Sequence, residues 1–551
     1  MTNNRTPFSH HHGHKILAGI LCLLAICGWA QTRTVEKPSV EPLRPISSAA
    51  DTLRNEKGKV YLIRADEWSF DKKLGPDYQV IRGNVCFRKD SMYMYCDSAY
   101  LYESDNSLDA YGNVRMEQGD TLFIYGDKLI YNGKTQIARL RESVRMINRD
   151  VTLYTDSFNY ELDPNFGYYF TGGKIINGEN TLTSVFGRYS PDTKIATFRN
   201  DVLLVNERAT LTSDTLHYNT ETKVADIVGP TVIRSDSNTI YSTAGWYNTE
   251  TDQAMLLKRS RLVGESQTLT GDTLFYDRNK GDGEAFGNMS LRDSVHHLIL
   301  QGQYGFYNEK TEYAFTTDSA RILEFSGTDT LYMHADTIRM ERLPDSTRLV
   351  QAYHGVRFFR NDAQGVCDSV AFLSRDSLIT LYDTPVLWSG TQQLTGDSIQ
   401  VFLNDSTIDH AFIPSAAFAV DHKEGNYYDQ LSGTEMKIYF TDGLMSRIDV
   451  SGNVRTIYYP MERDSTYTGH NWLESSFLSM YLKDQKLDKL VMWPAVSGRM
   501  TPIPELKEDV LYLPGFVWYD RVRPTDKDDI FRKPEAVQAP VLNTTKHKFK
   551  H

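Results

Sequence analysis

The chain lacks any stretch in which apolar residues recur with a sustained helical period, so a helical architecture is excluded. It is poor in cysteine, with five in 551 residues. Two of these, Cys22 and Cys27, precede the expected signal cleavage site, leaving Cys86, Cys96 and Cys367: at most one disulfide plus a free thiol. It has no surplus of positive charge: 60 Lys and Arg stand against 71 Asp and Glu, for a net charge of −11. That excludes a sequence-independent nucleic-acid binder, which needs a basic face. Beyond the N-terminus no apolar run is long enough to cross a bilayer as a helix. Catalytic signatures are absent as well. There is no His-Glu-x-x-His and no Gly-x-Ser-x-Gly, and Gly133-Lys134-Thr135 lacks the upstream glycine of a P-loop because Lys128 stands there. No enzyme, cofactor or metal is expected.

What the chain has is tyrosine, 33 of them, in short runs alternating with Thr. This composition favours strands. Thr-Leu recurs at Thr152-Leu153, Thr181-Leu182, Thr210-Leu211, Thr239-Ile240 and Thr268-Leu269, each step being 29 residues. Eight residues after each Thr stands a Tyr: Tyr160, Tyr189, Tyr218, Tyr247 and Tyr276. A period held without insertion marks a stacked repeat array. Between Thr and Tyr most copies carry a small residue followed by Asp, as at Cys96-Asp97, Thr155-Asp156, Ser213-Asp214, Gly271-Asp272 and Cys367-Asp368. Cys96 and Cys367 thus replace Gly, Ser or Thr and read as small buried residues at a corner. A Cys86–Cys96 bridge remains an alternative. After each Tyr comes a turn such as Tyr131-Asn132-Gly133, then a second strand opening Gly83-Asn84-Val85, Gly112-Asn113-Val114 or Gly452-Asn453-Val454. One repeat is therefore two antiparallel strands, and roughly thirteen repeats fit between Val60 and Tyr459 if loose copies count.

The chain divides accordingly. Residues 1–30 read as a signal peptide, with Arg5 and Lys15 ahead of the apolar Ile16–Cys27 and small residues at Gly28 and Ala30. Lipid anchoring at Cys27 is disfavoured by the bulky Ile26 before it. Residues 31–57, with Pro38, Pro42 and Pro45, read as a linker. Regular repeats fill 58–324 and looser ones 325–460. Residues 461–532, with Trp472, Trp493 and Trp518, are expected to cap or dock, and 533–551 form a disordered tail. The expected site of action is the periplasm, with outer-membrane association as a second reading.

A long sheet with one apolar face must hide it. The expected fold is all-β: an elongated repeat β-jelly-roll, a taco-like solenoid of antiparallel strands folded over on itself. Two apolar sets share the register, Leu153, Leu182, Leu211, Ile240 and Leu269, and Phe158, Leu216 and Leu274 with Gly187 and Gly245. They lie five residues apart, which in a plain strand means opposite faces. A corner at the small-Asp pair reverses that parity, so both sets should face inward, with the Tyr set covering the rim. Leu153, Phe158, Leu182, Leu211, Leu216, Ile240, Leu269 and Leu274 are the candidates for lining a lipid groove; the alternative is that they are plain core. The loop Asp277–Gly283 imitates a calcium loop, but its glycine falls at position seven rather than six and Asn288 stands where Glu is needed.

The pattern Leu-x-small-Asp-x-apolar-x-Tyr, turn, Gly-Asn-Val, repeated over about residues 58–460 behind a signal peptide, resembles the OstA-like family of periplasmic lipopolysaccharide-transport proteins. The length and tyrosine-rich style resemble a Bacteroidetes-type member. The resemblance implies a groove that shields the acyl chains of lipopolysaccharide or a similar amphiphile. It also implies partners among the inner- and outer-membrane transport components, and end-to-end self-association by strand pairing. Two other classes are weighed beside it: an exported structural or carbohydrate-binding β-solenoid, and a parallel β-helix enzyme acting on polysaccharide.

Overall fold

The computed structural model describes residues 58–70, 78–404, 407–462, 466–483 and 486–533. These belong to one compact unit, Lys57–His551. The expected signal peptide, the whole of the expected linker and all but the first residue of the expected tail lie outside the described residues. Among those described there is no α-helix. The strands form one sheet in which neighbours pair antiparallel, which removes the parallel β-helix.

The sheet is folded along a crease into two leaves, and each full-length strand crosses both. Strand Ile137–Asn148 lies in one leaf, here leaf A, as residues 137–141, and in the other, leaf B, as 144–148. Strand Val151–Glu161 returns through leaf B as 151–155 and leaf A as 157–161. The crease is built by the two motifs that punctuate the sequence. On one strand two consecutive residues take left-handed backbone, for example Gly112 (φ 74°) and Asn113 (φ 45°), or Gly287 (φ 69°) and Asn288 (φ 47°). Two residues there oppose one on the neighbour, the geometry of a bulge, and the pairing register shifts between Tyr111 and Val114. Glycine is required: a Cβ on Gly112 would stand 2.5 Å from Oδ2 of Asp97. Asn113 Nδ2 donates to the same oxygen at 2.7 Å, and Asn84–Asp66 and Asn288–Asp272 repeat the bond. In these three repeats the Asp of the small-Asp pair therefore holds the neighbouring strand's Asn rather than its own backbone. The small residue before it does the backbone work. Ser213 Oγ donates to the Thr215 carbonyl at 2.9 Å, Ser242 Oγ to Ala244 at 2.8 Å, and Cys367 Sγ to Ser369 at 3.4 Å.

The crease reverses parity as expected. Leu153 in leaf B and Phe158 in leaf A both point between the leaves, and one continuous apolar core fills that space. Cys96 faces this core, while Cys86, on the strand carrying inward Val85 and Phe87, faces the other side of the sheet. The two thiols cannot meet, and all three cysteines are free and buried.

The array continues past residue 460. Leu444–Tyr458, Gly469–Lys483, Lys486–Trp493 and Ser497–Pro502 add rungs to both leaves. The chain then turns back. Residues 503–533 form a strap over the outer face of leaf B, where Val420 and Gln393 alternate with the inward Ala419 and Leu394. Leu513, Phe516 and Trp518 pack there on Phe418, Val420 and Ile457. Glutamine side chains stand in for a strand. Gln430 donates to the Leu511 carbonyl and accepts from Leu513 N–H, both at 2.8 Å. Gln393 does the same for Val517 and Tyr519, also at 2.8 Å. Farther on, Arg523 donates to Gln364 and Phe531 packs at a tilt against His334 with ring centroids 4.7 Å apart.

Candidate functional site

The space between the leaves is bounded on one side by the crease and on the other by a mouth where the hairpin tips face each other. One row of inward residues runs across leaf A just below this mouth, each directly opposite the next. It reads Tyr131, Ala138, Tyr160, Gly167, Tyr189, Ala196, Tyr218, Ala225, Tyr247, Ala254, Tyr276, Gly283, Tyr307 and Ala314. Large and small residues alternate so that each ring lies over a neighbour without a bulky side chain. From Tyr131 to Tyr276 the tyrosines are at most 2% exposed. They cover the rim as expected, but from within, with their rings buried.

Their hydroxyls explain why burial is tolerated. Tyr189 donates to Asn148 at 2.9 Å and Tyr218 to Asn177 at 3.0 Å, while Asn180 donates back to Tyr218 at 3.0 Å. Asn238 donates to Tyr276 at 2.5 Å. Each asparagine sits at the mouth end of leaf B, so each bond joins the two lips. Ion pairs reinforce them from outside: Lys223 with Asp150 at 3.0 Å and Arg208 with the buried Asp252 at 3.0 Å. Tyr247 donates to Asp252 at 2.6 Å. Burial pushes the phenols up, that of Tyr218 to about 12, so they remain donors throughout the physiological range. The Asp150 carboxyl is held below its usual range although burial alone would raise it, because Lys223 and Asn177 bond to it. Tyr131 is the exception: its buried hydroxyl has no hydrogen-bond partner.

Beyond Ala314 the same row becomes Met340, Val350, Phe372, Ile379, Val401, Ala411, Ile438, Ile448, Met480 and Leu490. None can bond across the mouth. Tyr307, Phe372, Ile379, Val401 and Met480 are only partly buried, and Leu490 is 37% exposed. Lip residues here pair within their own leaf: Arg342 with Glu312 at 2.5 Å, Arg375 with Asp345 at 3.1 Å, Lys423 with Asp421 at 2.7 Å.

At the changeover the mouth parts into a cavity of about 770 Å³. Leu262, Leu269 and Tyr307 line it among apolar residues, and Arg278, Lys310, Arg342 and Arg348 with Glu265, Glu309 and Glu312 among charged ones. Its volume falls within the range of about 300–1,000 Å³ common for ligand sites. Asp293, next to it, accepts from His296 Nδ1 at 2.8 Å, and the imitation calcium loop spends Asp277 on Gln253 at 2.9 Å.

The eight candidate groove residues fall on this picture unevenly. Leu153, Phe158, Leu182, Leu211, Leu216, Ile240, Leu269 and Leu274 are all at most 2% exposed and pack in the one core. Of these, Leu269 reaches the cavity. The partly buried members of the row from Tyr307 onward, Tyr307, Phe372, Ile379, Val401 and Met480, were missed. Their signal was present in the sequence as the end of the Tyr–small alternation.

Residues 57–214 and 207–326 match the family described as OstA-like protein. No curated protein matches the chain with significance. The matched residues are those whose crease, parity and tyrosine row have just been described, and the chain belongs to the OstA-like family.

Proposed function

We propose that this protein is a non-enzymatic carrier or bridge that shields the acyl chains of lipopolysaccharide during transport to the outer membrane. Membership of the OstA-like family supports lipid transport in general and a binding rather than a catalytic role. The observation that carries the finer reading is the changeover at Tyr307. There an apolar space between the two leaves is reachable from outside beneath a charged lip. An amphiphile needs those two surfaces together: apolar lining for the chains and polar groups for the head. The periplasm is the proposed compartment and membrane-bound transport components the proposed partners. The edge strands Val60–Arg64 at one end and Ser497–Pro502 at the other each pair on one side only among the described residues, which suits end-to-end association.

The test is retention. Purified protein mixed with lipopolysaccharide and separated from free micelles should carry lipid in its own peak. A lipid-free protein peak at every ratio tried would sink the carrier reading.

A further inference from the structure

The unequal halves of the mouth narrow the carrier reading, on which the following rests. We infer that acyl chains enter sideways through the cavity beside Tyr307 and run from there only toward the C-terminal strands. The interior on the N-terminal side of Tyr276 is then a filled strut that lipid does not enter.

Three observations combine. First, between Ile81 and Tyr276 the space between the leaves is already occupied. The inward residues of both leaves are buried in one core, and no side chain can leave without opening the mouth. Opening it strips partners from Asn148, Asn177, Asn180 and Asn238, all buried. Each keeps partners within leaf B but loses its bonds across the mouth, and breaking that set together opposes opening. Second, beyond Ala314 the row below the lip carries no hydroxyl and is partly open. Leaf B faces it with Leu298, Phe358, Leu387 and Leu394, also partly buried. Partly exposed apolar residues thus recur below the lip on this side, between buried neighbours such as Met340, Val350, Ala411 and Ile438, and none stands in the row between Tyr131 and Tyr276. Third, the lip of the cavity is the place suited to the head. Arg278, Lys310, Arg342 and Arg348 outnumber Glu265, Glu309 and Glu312 there, in a chain whose net charge is −11. Glu312 is shared by Arg342 at 2.5 Å and Arg348 at 3.8 Å, leaving guanidinium donors over. Guanidinium groups match phosphate geometry. The ligand class is therefore a phosphorylated lipid with several chains, its head at this lip and its chains directed toward Phe372 and Val401.

The experiment uses the full chain with a photo-crosslinking residue placed singly at Leu182, Leu211, Phe372 or Val401, incubated with lipopolysaccharide. Adducts are expected at Phe372 and Val401 and none above the dark control at Leu182 and Leu211. Equal adducts at all four positions would overturn the division while leaving the carrier reading intact. Adducts nowhere would overturn both. The lip is tested separately with Lys310→Glu and Arg342→Glu, both exposed positions whose replacement leaves the core untouched. Combined, they should abolish the Phe372 adduct with lipopolysaccharide but leave it unchanged with the same lipid after removal of its phosphates. An undiminished adduct with the phosphorylated lipid would place entry elsewhere.

Discussion

The latched half and the unlatched half share one backbone plan. Both fold at left-handed corners, both alternate leaf A and leaf B, and both direct two apolar rows inward. They differ in one row of side chains. Where it reads Tyr–small–Tyr, rings fill the space and hydroxyls tie the lips through asparagines. Where it reads Met340, Val350, Phe372, Ile379, Val401, the lips have nothing to bond with and part. The second half is held from behind instead. The strap lies over leaf B from about Gly469–Lys483 back to His334, largely the stretch that lacks the latch. A solenoid's stability is close to a sum over neighbouring units, so each half can be secured by its own device.

The comparison is broken most forcefully by equal truncations in the two halves. Phe158→Ala removes a fully buried ring and should cost about 3–5 kcal/mol. Phe372→Ala removes a ring partly in water and should cost about 1–2 kcal/mol. Hydrogen exchange resolved by strand is the readout, since a repeat array need not unfold in one step. Equal losses would mean the C-terminal interior is as tightly filled as the other.

The strap comes next. Gln430→Ala leaves the Leu511 carbonyl and the Leu513 N–H without partners under buried surface, at about 1–3 kcal/mol. Limited proteolysis should then cut between residues 503 and 533 while the strands near Tyr189 stay protected. A strap that resists cleavage would show that its apolar contacts suffice.

Smaller still is the contrast between two tyrosines of one row. Tyr218→Phe removes one bond each from Asn177 and Asn180, which keep Lys223 and Thr249 respectively, and should destabilise by about 1 kcal/mol. Tyr131→Phe removes a hydroxyl that has no partner and should be close to neutral or slightly stabilising. The reverse order, measured by denaturant midpoint, would remove the latch as a cause.

An alkaline titration sharpens the same point. Burial pushes Tyr218 in the folded chain to about 12, against about 10 for a free phenol. The folded state therefore favours the protonated form. Its contribution is fully present below pH 10 and is lost as pH rises toward 12. Exchange protection should fail first in the latched strands. Uniform loss along the array would count against a tyrosine-dependent closure.

Much of this was legible beforehand. The step of 29 residues announced a repeat of two strands, and the small-Asp pair announced a corner that reverses parity; that Gly-Asn on the neighbouring strand completes the corner emerged only from the fold. Both inward sets followed from the small-Asp corner alone. What the tyrosines do at the rim was not legible, because a phenol looks amphipathic in a sequence. Only the asparagines on another strand, 41 residues away for both Tyr189–Asn148 and Tyr218–Asn177, reveal that the polar end is buried and bonded. The strap was illegible for the same reason at greater range: Arg523 meets Gln364 across 159 residues, and nothing local foretells the partner. Local rules specify corners and turns; pairings between distant segments depend on the assembled fold.

The returning path of the last segment has a practical meaning for anyone labelling this molecule. Phe531 lies beside His334 and Arg321, so a dye or spin label attached at the exposed Lys533 would sit near the middle rungs, not at the far end of the ladder. Paired with a second label at Val295 on the cavity's lip, it would measure motion at the changeover directly, and a label pair chosen on the assumption of a terminal tail would report distances from the wrong origin.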